Sequence, residues 1–198
     1  IVLEDPLARA ALDTASQTAT PASGVYTYLA NTIRAGQRSI PYSVITAVDL
    51  FRGSMAEIRL VKGTGAAGAS DDSIWLNQWA QDHLAASPGE VITIDYYLWE
   101  TEGRLVTRSA DFRLAGIVAL QGDAADPALA PDFPGITEKS SLGGWDPPFP
   151  VDLDRIRPED EEYWDRYKTV PKAFIGLSKG QELWQTRFGK LTAIRLRP

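Results

Sequence analysis

The sequence predicts an α+β fold: a mixed β-sheet and β-meander with a few helices, a closing βαβ unit and a proline-rich excursion. Three observations lead there. Most apolar runs are short, rich in β-branched and aromatic residues, and bounded by turn residues, which is the pattern of strands. Only a few stretches carry helix formers behind a capping residue or a first-turn proline. Seven of the 13 prolines lie between Pro127 and Pro158. Proline removes a backbone donor and fixes φ, so that segment is expected to be an ordered or semi-ordered excursion outside the sheet interior.

Taken in order, residues 6–16 follow Asp5 with helix formers and place Pro6 where a first turn tolerates it. Residues 25–33 and 42–50 are apolar, β-rich runs around Ala35-Gly36-Gln37-Arg38, expected as a hairpin or neighbouring strands. Residues 57–62 alternate as a further strand, and 63–70 form a small-residue loop. Residues 74–76 read as a short strand, after which Asn77 caps a helix through about Ala86. The turn at Ser87-Pro88-Gly89-Glu90 leads into a strand over 91–98, and Glu102-Gly103 closes a hairpin with 104–108. Residues 111–120 are expected as another strand. After the excursion at 123–158, Pro158 starts a helix through about Tyr167. A strand at 172–177, a helix at 178–187 and a strand at 191–196 then have the lengths of a βαβ crossover.

The 198 residues fit one large domain or two small lobes. The lobes would be about 70–122, and the N-terminal strands together with 159–198. A net charge of −6, from 20 basic and 26 acidic residues, argues against a nucleic-acid binder, because neutralising phosphates takes a basic surface. The absence of cysteine removes thiolate metal sites, cysteine nucleophiles and disulfides together. No apolar run approaches the roughly 20 residues that span a bilayer. With Ile1 as first residue and no charged-then-apolar leader, the chain is expected to be a mature or excised fragment whose membrane attachment lies outside it.

Three motifs have catalytic or cofactor readings. Gly176-Leu177-Ser178-Lys179-Gly180 matches G-x-S-x-G between a predicted strand and helix. A triad of that kind needs a histidine after the serine in chain order, and the single histidine, His83, precedes it. A capping box, with Ser178 as cap and Gln181 reaching back, is the expected role. Gly63-Thr64-Gly65-Ala66-Ala67-Gly68 matches G-x-G-x-x-G, but Asp71 and Asp72 follow where a phosphate-binding helix should open, so a loop is expected. Asp152, Asp154, Glu159, Asp160, Glu161, Glu162 and Asp165 form an acidic stretch without calcium-loop spacing, and acids after Pro158 suit a helix N-terminus. His83 falls four residues after Trp79, within touching distance on a helix. No catalytic residue, metal or cofactor is therefore expected. Trp75 and Trp79 are expected in the core. Trp145 and Phe149, among glycines and prolines, are candidate partner-docking residues.

The stretch WDPPFP at 145–150, continued through VDLDRIRP at 151–158 into EDEEYWDRY at 159–167, resembles a segment of the extracytoplasmic domain of FtsX/MacB-like ABC transporter permeases. IWLNQWAQDHL at 74–84 with PGEVITI at 88–94 is similar to that family's strand, helix and P-G-D/E turn. DFRLAGIV at 111–118 is similar to its F-x-V-x-G-I-V strand, and 171–177 with 187–195 resemble its closing βαβ unit. The resemblance covers about 25–197, and the enlarged excursion marks a branch of the family.

The resemblance implies a non-catalytic domain on the periplasmic or extracellular side of the cell membrane. It implies coupling of cytoplasmic ATP hydrolysis, by a separate ABC ATPase subunit reached through transmembrane helices, to an extracytoplasmic protein or substrate partner. The chain carries no Walker-type G-x-x-x-x-G-K-[ST] loop. Adjacent transmembrane helices would require Ile1 and Pro198 to emerge on one side. Two alternatives from other classes stand beside it: a secreted binding module using exposed aromatics, and a soluble hydrolase using Ser178.

Overall fold

Residues 2–100, 103–184 and 189–197 are described by the structure, a computed structural model. An N-terminal helix α1 (Asp5–Gln17), with Pro6 in its first turn, leads into the long strands β1 (Ala22–Ala35) and β2 (Arg38–Ala47). The two form a hairpin whose turn is Gly36-Gln37, with Gly36 at φ 55°, a region that glycine adopts without a Cβ clash. Then come β3 (Leu60–Gly63), β4 (Ser73–Asn77) and α2 (Gln78–Leu84), where the Asn77 side chain accepts from Ala80 N at 2.8 Å as the expected cap. The meander β5 (Val91–Trp99) and β6 (Leu105–Val118) is followed by the excursion and by α3 (Pro158–Tyr167). Finally β7 (Ala173–Ile175), α4 (Leu177–Trp184) and β8 (Ala193–Leu196) close the chain.

The fold is α+β, with eight strands and four α-helices among the described residues. Six strands close a ring in the order β1-β2-β7-β4-β6-β5 and back to β1, with β3 paired to β6 and β8 to β1. Strands from both halves of the sequence thus share one closed sheet. Closure removes open edges along most of the ring.

The expected separate strands at 104–108 and 111–120 are one strand. Pairing with β5 runs without a shift from Val91↔Arg113 to Trp99↔Leu105. Ser109-Ala110 reads as a break in the sequence, but Ser109 stays in the ladder opposite Asp95, and its hydroxyl donates to Asp95 Oδ1 at 2.6 Å. The chain order β7–α4–β8 is the expected βαβ. β7 lies parallel to β2, and β8 antiparallel to β1, so the two strands share a direction while pairing with different neighbours. Glu102 and the helix end at 185–187 lie outside the described residues, as does Phe188 of the family resemblance. Ile1 and Pro198 lie outside them too; Leu3 pairs with Leu191, and Arg197 N donates to Pro21 O at 2.9 Å.

Inside the ring, Ile33, Ile45, Ile74, Leu76, Ile94 and Phe112 are buried together with Trp184 of α4. Gly180 lets α4 come down on β2: a Cβ there would lie 2.1 Å from Ala47 Cβ. A second cluster, with Val25, Met55, Trp75, Val118 and Phe174, fills the end of the ring under the 48–58 loop. The third cluster lies on the opposite face of the β1–β2 hairpin. There Leu29, Tyr42 and Val44 meet Ile136, Leu142, Trp145 and Trp164.

Candidate functional site

The excursion is fastened to the ring at one irregularity of the β1–β2 hairpin. The β1–β5 register shifts between Ala30 and Thr32, and the β1–β2 pairing steps from Ala30↔Ser43 to Thr32↔Pro41. This leaves Asn31 and Tyr42 out of the ladders, as in a β-bulge. Tyr42 takes φ 40°, in the left-handed region that costs a residue with a Cβ roughly 1–2 kcal/mol. The excursion occupies both freed positions. Asp152 N donates to Tyr42 Oη at 2.6 Å, and Arg155 donates to Asn31 O at 3.4 Å and Thr32 Oγ1 at 2.5 Å. Arg155 also lies 5.3 Å from the Tyr42 ring centroid.

Trp145 and Phe149 occupy different environments. Trp145 is 6% exposed, edge-on to Trp164 at 5.1 Å and tilted against Tyr42 at 6.3 Å. Phe149 is half-buried, 5.9 Å from Tyr97 on β5. Next to Tyr97 on the same outward-facing alternation of β5 stands Trp99, 60% exposed. Leu153, on the excursion, is 42% exposed. The sequence reading did not single out Trp99. Its signal was there: it ends an alternating strand at the position farthest from the core.

Behind the excursion, α3 begins at Pro158 as expected, and its first-turn acids are engaged by the chain itself. Asp160 accepts from Arg157 N at 3.1 Å and from Arg157 Nε at 3.1 Å, while Glu161 accepts from Leu142 N and Gly143 N at 2.9 Å each. Among the described residues no three His, Asp or Glu side chains form a metal-binding group. Lys172 points into this layer, with Nζ 4.6 Å from the Trp79 ring centroid, 4.7 Å from that of Tyr163 and 4.0 Å from Asp160 Oδ1. Burial lowers its pKa to about 8, against the attraction of Asp160 and with a smaller push from Arg157.

The two glycine motifs meet at one end of the ring. β2 and β7 end there in parallel and β4 begins there, and their loops enclose a cavity of about 230 Å³. Arg52, Ser70, Asp71, Trp75, Ser178 and Lys179 are among its walls. The expected capping box is absent. The helix starts at Leu177, so Ser178 lies inside its first turn, and Gln181 donates instead to Lys190 O at 3.0 Å. His83 is far from a triad arrangement: it stacks on Trp79 at 3.7 Å, and its Nδ1 donates to Trp79 O at 2.7 Å. Lys179 engages Glu182 at 3.3 Å and Asp72 at 3.9 Å. The Gly63–Gly68 stretch opens no α-helix; it ends in a 3-10 turn, Ala66–Gly68, and its carbonyl at Thr64 accepts from Trp75 Nε1 at 2.8 Å.

No protein-family model matches the chain, and no curated protein matches it. Among solved structures the chain is similar to the periplasmic region of MacB from Actinobacillus actinomycetemcomitans, with 12% sequence identity and a TM-score of 0.40. The match covers 59% of this chain and 50% of that one, so the chain spans about half the length of the structure it matches.

Proposed function

We propose that the chain is an extracytoplasmic, non-catalytic domain of an ABC transporter permease of the FtsX/MacB-like type, coupling ATP hydrolysis by a cytoplasmic subunit to a partner or substrate outside the membrane. One observation carries the reading. The segment with the most specific family resemblance, 145–167, forms a single fastened layer in which Trp145, Trp164 and Tyr42 pack together over the β1–β2 hairpin. Its aromatic and proline positions are thus tied to one architecture, as a shared family element would require. In this proposal residues 1–198 form one domain with 123–158 as its docked excursion, and the surface around Phe149 receives the partner.

The chain has no cysteine, which makes its location directly testable. A single cysteine replacing exposed Asp13 in the full-length protein should react with a membrane-impermeant maleimide on intact cells, and the protein should stay in the membrane fraction. Labelling only after lysis would overturn the reading. Labelled protein released into the medium would favour the secreted binding module instead.

A further inference from the structure

We propose that the outer edge of β6, residues 105–111, pairs with the same edge of a second copy of this chain. The inference does not rest on the permease reading. On one side β6 is paired with β5 over 105–113 and then with β3 over 116–118, but on the other side β4 reaches only over 113–118. The direction of the backbone groups follows from the bonds at its ends. Arg104 O and Leu114 N bond across to the β5 strand and its flanks, whereas Arg113 N donates to Asp72 O on the other side. Antiparallel alternation therefore turns the N–H and C=O of Leu105, Thr107, Ser109 and Asp111 outward. No described residue bonds to them.

Monomeric proteins blunt such an edge with proline, a bulge, shortness or charge. This edge has no proline or register shift, and its one cation, Arg108, is neutralised by Glu100 at 3.0 Å. Thr107, Arg108, Ser109 and Asp111 are exposed.

The sequence of the edge is complementary to itself in one register. With Ser109 on a two-fold axis opposite its own copy, Thr107 faces Asp111 of the second copy, and Asp111 faces its Thr107. The chain already uses this pair of residue types across β5–β6, where Thr93 Oγ1 donates to Asp111 Oδ1 at 2.6 Å. Arg108 then faces Ala110. The neighbouring register, centred on Arg108, would set two arginines face to face, which is unfavourable.

The test is sedimentation of the 198-residue chain over a concentration series, joined to NMR of the concentrated sample. We expect a reversible dimer and a contact between the Hα atoms of Arg108 and Ala110, which are about 7 Å apart within one strand and can meet only between copies. Ser109→Lys, which puts two ammonium groups opposite each other on a solvent-facing position, should weaken the dimer at least tenfold. Ser109→Pro should do the same, because the N–H it removes is not used within the chain. A chain that stays monomeric at about 1 mM would overturn the proposal. So would a dimer that both variants leave intact, or a strand of a different protein on this edge.

Discussion

Nζ of Lys172 stands 4.0 Å from Oδ1 of Asp160, and the two side chains are 5% and 0% exposed. Asp160 is held from the other side by Arg157 at 3.1 Å, so it is compensated without the lysine, whereas Lys172 has, among the described residues, one carboxylate and two aromatic faces. Desolvation accordingly wins for Lys172 and lowers its pKa from 10.5 to about 8. Between these two values the unfolded chain binds more protons than the folded one, so stability from this group rises with pH over about 8 to 10.5. Buried Tyr26, raised from 10.0 to about 12 by desolvation, acts oppositely: its stabilisation is complete below pH 10 and is lost as pH rises toward 12. Urea denaturation should therefore show stability increasing from pH 8 to about 10 and then turning over. Lys172→Met should abolish the rise and leave the turnover; an unchanged rise would contradict the assignment to Lys172.

Gly180→Ala should destabilise the protein although alanine is the better helix former. The added methyl would lie 2.1 Å from Ala47 Cβ, a contact relieved only by lifting α4 off β2. Overpacking of this kind costs roughly 1–3 kcal/mol, against about 1 kcal/mol gained in helix propensity. A thermal midpoint unchanged or raised in Gly180→Ala would show that α4 yields freely.

The parts legible in the sequence are those with local causes. Pro158 followed by a run of acids marks the start of α3, Asn77 caps α2, and the four-residue spacing of Trp79 and His83 brings their rings together. Ring closure was not legible, because β7 pairs with β2 and β4 across more than 90 residues of chain and has no local signal. Ser109-Ala110 misled because polar and small residues mimic a turn, while a cross-strand bond to Asp95 keeps them extended. Tyr42 was invisible as a fastening point: its left-handed backbone lies opposite the bulge at Asn31 and its hydroxyl meets the excursion, neither of which its neighbours in sequence signal.

Ser178→Ala should leave stability within about 0.5 kcal/mol, as for other substitutions away from caps and cores. Ser178 lies within the first turn of α4 and does not precede it, so no cap is lost. Thermal unfolding of the variant checks this. Esterase turnover that disappears with Ser178→Ala in a folded protein would restore the hydrolase reading.

Trp145→Ala and Phe149→Ala should separate packing from surface function. Trp145, 6% exposed against Trp164 and Tyr42, should cost about 3–5 kcal/mol when truncated. Phe149 keeps one face toward solvent beside Tyr97, so its truncation should cost much less while weakening any partner that lands there. Equal losses of stability in the two variants would assign Phe149 to the core and leave the exposed Trp99 as the aromatic to test.

The fastening of the excursion at Tyr42 predicts local opening. Tyr42→Phe removes the acceptor for Asp152 N and Arg155→Ala removes the bonds to Asn31 O and Thr32 Oγ1, each a loss of about 1 kcal/mol. The ring's ladders do not use these groups. Hydrogen exchange should therefore speed up by roughly thirtyfold at amides of 149–156 in the double variant, since the two losses together come to about 2 kcal/mol and about 1.4 kcal/mol corresponds to one factor of ten in an opening equilibrium. Amides of β4 and of β6 between Phe112 and Val118 should keep their protection. Acceleration spread evenly over the ring would mean that excursion and ring open as one unit, and that the bulge at Asn31 and Tyr42 is not a separate latch.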